Sequence, residues 1–291
     1  MIRTLVNKLK SIWKKILART SPVMASRLFH KNKTGRILDL KNPERFCDKC
    51  HWLKLYWEHP LVVQCADKFE VRSYVAQCGH PEILNDLYGV YESTSEIDWE
   101  KLPHQFVLKG THGCKYNIFC RDKEELDRRE ATLKMDKWLK STYGVKSVEL
   151  HYWKIKPRII CERLIGGEHG RMPRDYKFYC FGGKVHCVMV CTGRGGEQTY
   201  FDYFDRNWTR KLDYDRNSSP DHVIIEKPES YEKMIGVAEK LSAPFPFVRV
   251  DLYEDRGKVV FGEMTFTPMA CSDPDLTPEG DKTMGKLLVL P

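Results

Sequence analysis

The stretch Phe247-Val-Arg-Val-Asp-Leu-Tyr253, followed after a turn at Asp255-Arg-Gly257 by Val259-Val-Phe-Gly-Glu-Met-Thr-Phe266, decides the architecture. Both runs alternate with a period of two, the mark of strands whose successive side chains point to opposite faces. A short turn containing glycine between such runs predicts an antiparallel hairpin. On one strand Arg249 and Asp251 then share a face, and Glu263 and Thr265 do the same on the partner, while their apolar neighbours point away. Such a group is either a cross-strand ion pair on a solvated face or a binding site. The strongly apolar flanks favour the site.

A second hairpin is expected from Asp175-Tyr-Lys-Phe-Tyr-Cys-Phe181 and residues 184–191 across Gly182-Gly183, with more antiparallel strands after it. Upstream, Phe106-Val-Leu-Lys109 reads as a buried strand leading through the polar loop Gly110-Thr-His-Gly113 to a strand at 117–120 and a charged helix over 123–141. Strands at 87–91 and 158–164 and helices over 44–57, 61–77 and 231–241 complete the reading. Antiparallel hairpins interleaved with isolated helices predict an α+β protein.

The formal net charge is +8, but it is unevenly placed. Residues 1–36 hold ten Lys or Arg and no acid, leaving 38 basic against 40 acidic residues in the rest. A nearly neutral body gives no general nucleic-acid footprint, so no nucleic-acid partner is expected. Ile2, Leu5, Val6, Leu9, Ile12, Trp13, Ile16 and Leu17 fall on one face of a helix with lysines opposite. That helix can lie in an anionic leaflet through residues 1–20, or pack on the protein's own body. Residues 21–36 read as a linker, and 37–291 as one domain. No apolar run reaches the roughly 20 residues a spanning helix needs. Eleven cysteines, an odd number with no export signal in front, fit reduced thiols in the cytoplasm. Cys47-Asp-Lys-Cys50-His51 has the spacing of haem attachment or part of a zinc site, and is read as a helix face carrying incidental thiols.

Four constellations fit phosphoryl chemistry. Lys109-Gly-Thr-His-Gly113-Cys-Lys115 puts lysines around a loop of small residues able to approach phosphate oxygens. Asp251 and Glu263 are carboxylates for Mg2+, with Arg249 beside them to offset phosphoryl charge. Asp175 and Lys177 face one way from a strand, so the lysine can reach a phosphate. Finally, Arg158-Ile-Ile-Cys-Glu162-Arg-Leu164-Ile, with Glu168 behind it, is either a hinge over an adenine ring or a plain strand exit.

These motifs, together with Leu38-Asp-Leu-Lys-Asn-Pro-Glu-Arg-Phe46, Trp52-Leu-Lys-Leu-Tyr56, Asp67-Lys-Phe-Glu-Val-Arg-Ser-Tyr-Val75 and Gly262-Glu-Met-Thr-Phe-Thr-Pro268, resemble the TupA-like ATP-grasp family. The resemblance implies an ATP-grasp fold, two α+β lobes clasping ATP and Mg2+, in a family associated with capsule, O-antigen and teichuronopeptide synthesis. It implies that Lys109 contacts phosphate, that 162–164 form the adenine hinge, that Arg249 stabilises charge, and that Asp251 and Glu263 ligate the metal. Thr265 stands where such ligases often carry Asn. The expected activity is a carboxylate-amine ligase on a glycan or lipid-linked sugar with an amine or amino-acid co-substrate. A sugar kinase and a nucleotide-sugar-dependent glycosyltransferase are the alternatives. A substrate of that kind suits a protein held at the inner face of the cytoplasmic membrane.

Overall fold

In the computed structural model, which describes residues 2–166, 173–193 and 198–291, the two glycine-centred hairpins lie side by side in one sheet. The chain opens with α1 (Ile2–Thr20), α2 (Pro22–Thr34), α3 (Phe46–Tyr56), α4 (Pro60–Ala66) and α5 (Val71–Gln77). It continues through β1 (Leu87–Tyr91), β2 (Phe106–Gly110), β3 (Asn117–Cys120), α6 (Arg128–Leu139) and β4 (Ile159–Arg163). Then follow β5 (Asp175–Phe181), β6 (Lys184–Thr192), β7 (Tyr200–Asp205), β8 (Lys211–Leu212), α7 (Tyr231–Ser242), β9 (Phe247–Asp255), β10 (Lys258–Thr265) and α8 (Pro278–Leu287).

Among the described residues, two antiparallel sheets result, a four-stranded one ordered β1-β4-β2-β3 and a six-stranded one ordered β10-β9-β5-β6-β7-β8. The β5–β6 turn runs through Gly182 at φ 51° and Gly183 at φ 78°, left-handed values that residues with a Cβ adopt at a cost. The larger sheet is covered on both sides. On one face Phe178, Val248, Val250 and Leu252 pack with Met234, Val237, Ala238 and Leu241 of α7. On the other, Tyr179, Phe181 and Phe247 pack with Phe46, Cys50 and Leu53 of α3 and Met284 of α8. Each fully buried large side chain here stabilises by about 1.5–3 kcal/mol. The α3 contact covers only one end of that face, and the other end carries Asp175, Lys177, Arg249 and Asp251. The small sheet has its own core of Phe106, Leu108, Met135, Ile159 and Cys161.

Three expectations need correction. Residues 21–36 are not a linker: Pro22 starts α2, Gly35 at φ 72° closes it with its N–H on Lys31 O, and Ala25, Ser26 and His30 are buried. The expected helix over 61–77 is two, because the Asp67 carboxylate turns back to accept from the amides of Phe69 and Glu70 at 2.8 and 3.3 Å. The charged helix starts at Arg128 rather than 123, where Asp127 accepts from Glu130 N at 2.8 Å. Among the described residues Cys47, Cys50 and His51 belong to no group of three or more such side chains placed to hold a metal. The two thiols sit in the core beside Cys271, and His51 Nε2 lies 2.9 Å from Ser272 Oγ.

Candidate functional site

The register of three neighbouring strands builds the site. Lys177 of β5 is opposite Asp251 of β9, which is opposite Glu263 of β10, and Arg249 is opposite Thr265. The pairing slips between Phe261 and Glu263, a bulge at Gly262. A Cβ at Gly262 would stand 2.8 Å from Asp251 O and 2.9 Å from the Tyr253 ring, so the close approach of the two backbones requires glycine.

Side chains knit these positions together. Arg249 grips Asp251 with Nε to Oδ1 and Nη2 to Oδ2, both 2.7 Å, and reaches Thr265 Oγ1 at 3.1 Å and Glu263 Oε1 at 3.5 Å. Lys177 is held between Asp175, 2.6 Å away, and Asp251. Asp251 is 1% exposed and Lys177 7%, so this is a desolvated network. Burial pushes the Asp251 carboxyl up, against the pull of Arg249 and Lys177. Burial also opposes the charge on Lys177, yet Asp251 and Asp175 outweigh it and leave its ammonium raised. For Glu263 burial favours the acid, but Lys68, Lys177 and Arg249 together bring it down to about 2. It is the most open carboxylate of the three, with a third of its side chain exposed.

The small sheet contributes a second set. Lys109 Nζ lies 2.7 Å from Glu162 Oε2, and Arg72 of α5 takes the other oxygen at 3.1 Å. Lys68 links the two sets, donating to Gly113 O at 2.7 Å while standing 3.8 Å from Glu263. Arg163 of β4 bonds Asp255 of β9 at 2.9 Å, a second tie between the sheets. In the loop after β2 the amides of Gly110 and Thr111 are already taken by Tyr116 O and Arg158 O. Among the described residues no backbone bond is donated from 113–115, where Lys115 is exposed at φ 64°. The loop therefore offers its distal half, not its whole length, to a ligand.

The structure thus brings Arg249, Asp251, Glu263, Thr265, Lys177 and Asp175 into one cluster and Lys109 with Glu162 into another, with Gly113 between them. Lys177 is not free to swing toward a phosphate, because two carboxylates hold it. Leu164 follows β4 and is half-buried, and Glu168 lies outside the described residues. Lys68 and Arg72 were given no role from sequence. They are four apart, a spacing that places two side chains on one side of a helical segment, and both sit in the quoted Asp67–Val75 motif.

The donor set suits a hard divalent cation. Asp251, Glu263 and Thr265 offer only oxygens from adjacent strands. No group of three His, Cys, Asp or Glu among the described residues could hold a metal unaided. Few protein ligands fit Mg2+, which keeps waters and substrate phosphates in its shell.

Two antiparallel α+β layers tied by Lys68 and Arg163 around this charged cleft define the ATP-grasp class of fold. The chain belongs to the TupA-like ATP-grasp family, whose model matches residues 48–289. Among solved structures it is similar to D-alanine–D-alanine ligase from Bacillus anthracis complexed with ATP, at 15% identity over 76% of this chain and 60% of that one, TM-score 0.44. It is similar to an L-amino acid ligase from Bacillus licheniformis, at 15% identity over 75% of this chain and 47% of that one, TM-score 0.45. A third is D-alanine–D-alanine ligase from Helicobacter pylori, at 12% identity over 84% and 70%, TM-score 0.43. The chain spans less than two thirds of the first two ligases. No curated protein matches it.

Proposed function

We propose that the chain is an ATP-dependent carboxylate-amine ligase acting on a cell-surface polysaccharide precursor. In the reaction a uronic-acid carboxylate oxygen attacks the γ-phosphorus of ATP and ADP leaves. An amine then attacks the acyl carbon of the resulting acyl phosphate, forming the amide and releasing inorganic phosphate and a proton. The family supports ATP, and one observation carries the chemistry: the cluster is balanced without a ligand, with Arg249, Lys177 and Lys68 set against Asp175, Asp251 and Glu263. Mg-ATP would enter by exchange, Arg249 and Lys68 turning to phosphate oxygens, Lys177 staying between its two carboxylates, and Asp251, Glu263 and Thr265 being the residues that would hold the metal. Lys109, already in the mouth of the small sheet, would hold the phosphates. Mg2+ when bound supplies Lewis-acid stabilisation of the transferring phosphoryl group. Arg249 offsets charge on the same group.

In this reading α1 docks on an anionic inner leaflet, which places the cleft near a lipid-linked sugar, and the amine or amino acid arrives from the cytoplasm. No helix of the described residues is long and apolar enough to cross a membrane. The test is calorimetry of Mg-ATP beside UDP-sugars, on the wild-type chain, Asp251→Asn and Glu263→Gln. ATP-specific binding lost in both variants supports the proposal, and phosphate release with uronic acids and amines then separates ligase from sugar kinase. Tight binding of a UDP-sugar, or none of ATP, overturns it in favour of a glycosyltransferase.

A further inference from the structure

A cavity of about 470 Å3 opens beside the cluster, between α3, the start of α4, the turn at Leu150–Lys154 and the end of β10. Its place follows from the strand register. Phe247 lines it, and Arg249 is two residues further on the same face of β9. At about 3.4 Å per residue, the cavity begins roughly 7 Å beyond Arg249. Asp255, which ties β9 to β4 beside the expected adenine hinge, is at the opposite end of the strand. A nucleotide stretched from β4 to Asp251 would thus point its terminal phosphate toward this cavity.

The walls are apolar, with Trp57, Val62, Leu150 and Phe266 among them. Six polar side chains interrupt them: Glu58 and Lys154, paired at 3.0 Å, His59 and Thr267, and the buried Lys54 and His151, each 9% exposed. Among the described residues Lys54 Nζ donates one hydrogen bond, to Ser147 O at 3.0 Å, and His151 Nε2 is buried with no partner. Burial and the nearby Lys54 bring the imidazole down to about 3, so it is neutral and can donate or accept. A buried polar atom left unmatched is costly, which points to a ligand that matches it. A glycan would leave most of its hydroxyls facing hydrocarbon. The cavity's size is that of small-molecule sites, about 300–1,000 Å3.

We propose that this cavity is the subsite for the small co-substrate, and that it takes an amino acid with an apolar or aromatic side chain, its carboxylate on Lys54 and His151 and its side chain against Trp57 and Phe266. The co-substrate role rests on the ligase reading; the binding of the carboxylate does not. The probes are 3-phenylpropionate, its amide and glucuronate, titrated by calorimetry into the full chain, with Mg-ATP titrated separately. The expected result is saturable binding of 3-phenylpropionate, with the amide and glucuronate weaker by about tenfold or more, the value of one charge-assisted hydrogen bond. Lys54→Met should weaken the carboxylate by about the same factor, and Val62→Trp, at a half-buried wall position, should abolish it by filling space. Both variants should unfold cooperatively and bind Mg-ATP as the wild type does. Equal binding of acid and amide, preference for glucuronate, or binding untouched by Val62→Trp overturns the proposal. If 3-phenylpropionate binds as expected and Mg-ATP does not bind, the carboxylate site stands and the ligase reading falls.

Discussion

Lys177 stands between Asp175 and Asp251 with almost no water to replace it. Removing one partner of a buried ion pair costs about 3–5 kcal/mol, because the other charge remains desolvated. Lys177→Met should therefore lower the urea-unfolding free energy by about that amount. Burial already raises the Asp251 carboxyl, and without Lys177 it rises further. A carboxyl raised above its unfolded value contributes stability at low pH and loses it as pH rises, so the deficit should be larger at pH 8 than at pH 5. A deficit independent of pH would sink this account. Glu263 carries the opposite sign, since its carboxyl falls from 4.5 to about 2. Its contribution is complete above pH 4.5 and disappears as pH falls toward 2. The stability of the wild type relative to Glu263→Gln should decline through that window in acid titrations followed by fluorescence. Equal pH profiles would show that Glu263 is not held ionised. The alternation of residues 247–253 made Arg249 and Asp251 legible as one group, because a strand fixes where every second side chain points. The role of Lys68 was not legible, since it depends on two contacts far away in the chain, at Gly113 and Glu263.

At the scale of elements, strands were read more securely than helices, and the reason lies in what each buries. The β5–β6 and β9–β10 hairpins carry strict alternation and glycine turns, both local signals. By contrast α2 buries little beyond Ala25, Ser26 and His30 amid exposed lysines, so its sequence shows no broad apolar stripe. A long-range contact holds it: His30 Nδ1 and His51 Nε2 lie 3.1 and 2.9 Å from the same Ser272 hydroxyl. Burial, helped by Arg36, brings the His30 imidazole from 6.5 to about 4. The unfolded chain then binds more protons between those values, so the anchor is intact above pH 6.5 and is lost as pH falls toward 4. Hydrogen exchange should show amides of α2 opening in that window before those of β9, and His30→Gln should remove the pH dependence. Simultaneous opening of both elements would contradict a local anchor. On β10, Gly262→Ala drives a methyl group into the Asp251 carbonyl, where backbone cannot yield. Overpacking of this kind costs about 1–3 kcal/mol and should shift Glu263 with it, lowering both the melting temperature and Mg-ATP affinity. An unchanged melting temperature would show that the bulge relaxes freely.

For the whole molecule, the proposed docking of the chain on a membrane surface rests on where charge and exposed apolar surface are placed. In α1, Leu9, Ile12, Trp13 and Ile16 are 58, 46, 54 and 56% exposed, while Ala18 is buried where the helix meets the body. Leu17 of the same stripe packs against Val145 and Val148 of the body, so among the described side chains the stripe is covered at its C-terminal end and open over Leu9–Ile16. Lys10, Lys14, Lys15 and Arg19 share the same helix, and no acid occurs before Asp39. An apolar stripe beside cations matches the boundary of an anionic leaflet, where each basic residue near the surface contributes about 1 kcal/mol. The full chain should therefore sediment with phosphatidylglycerol vesicles and much less with phosphatidylcholine vesicles. Raising salt should weaken this binding, because screening shortens the reach of the lysines. Trp13→Ser with Ile16→Ser should weaken it at every salt concentration, since those residues are the buried part. A second copy of the chain covering the same stripe predicts the reverse set of outcomes: a dimer by light scattering, dispersed by the double substitution, and no preference between the two vesicles.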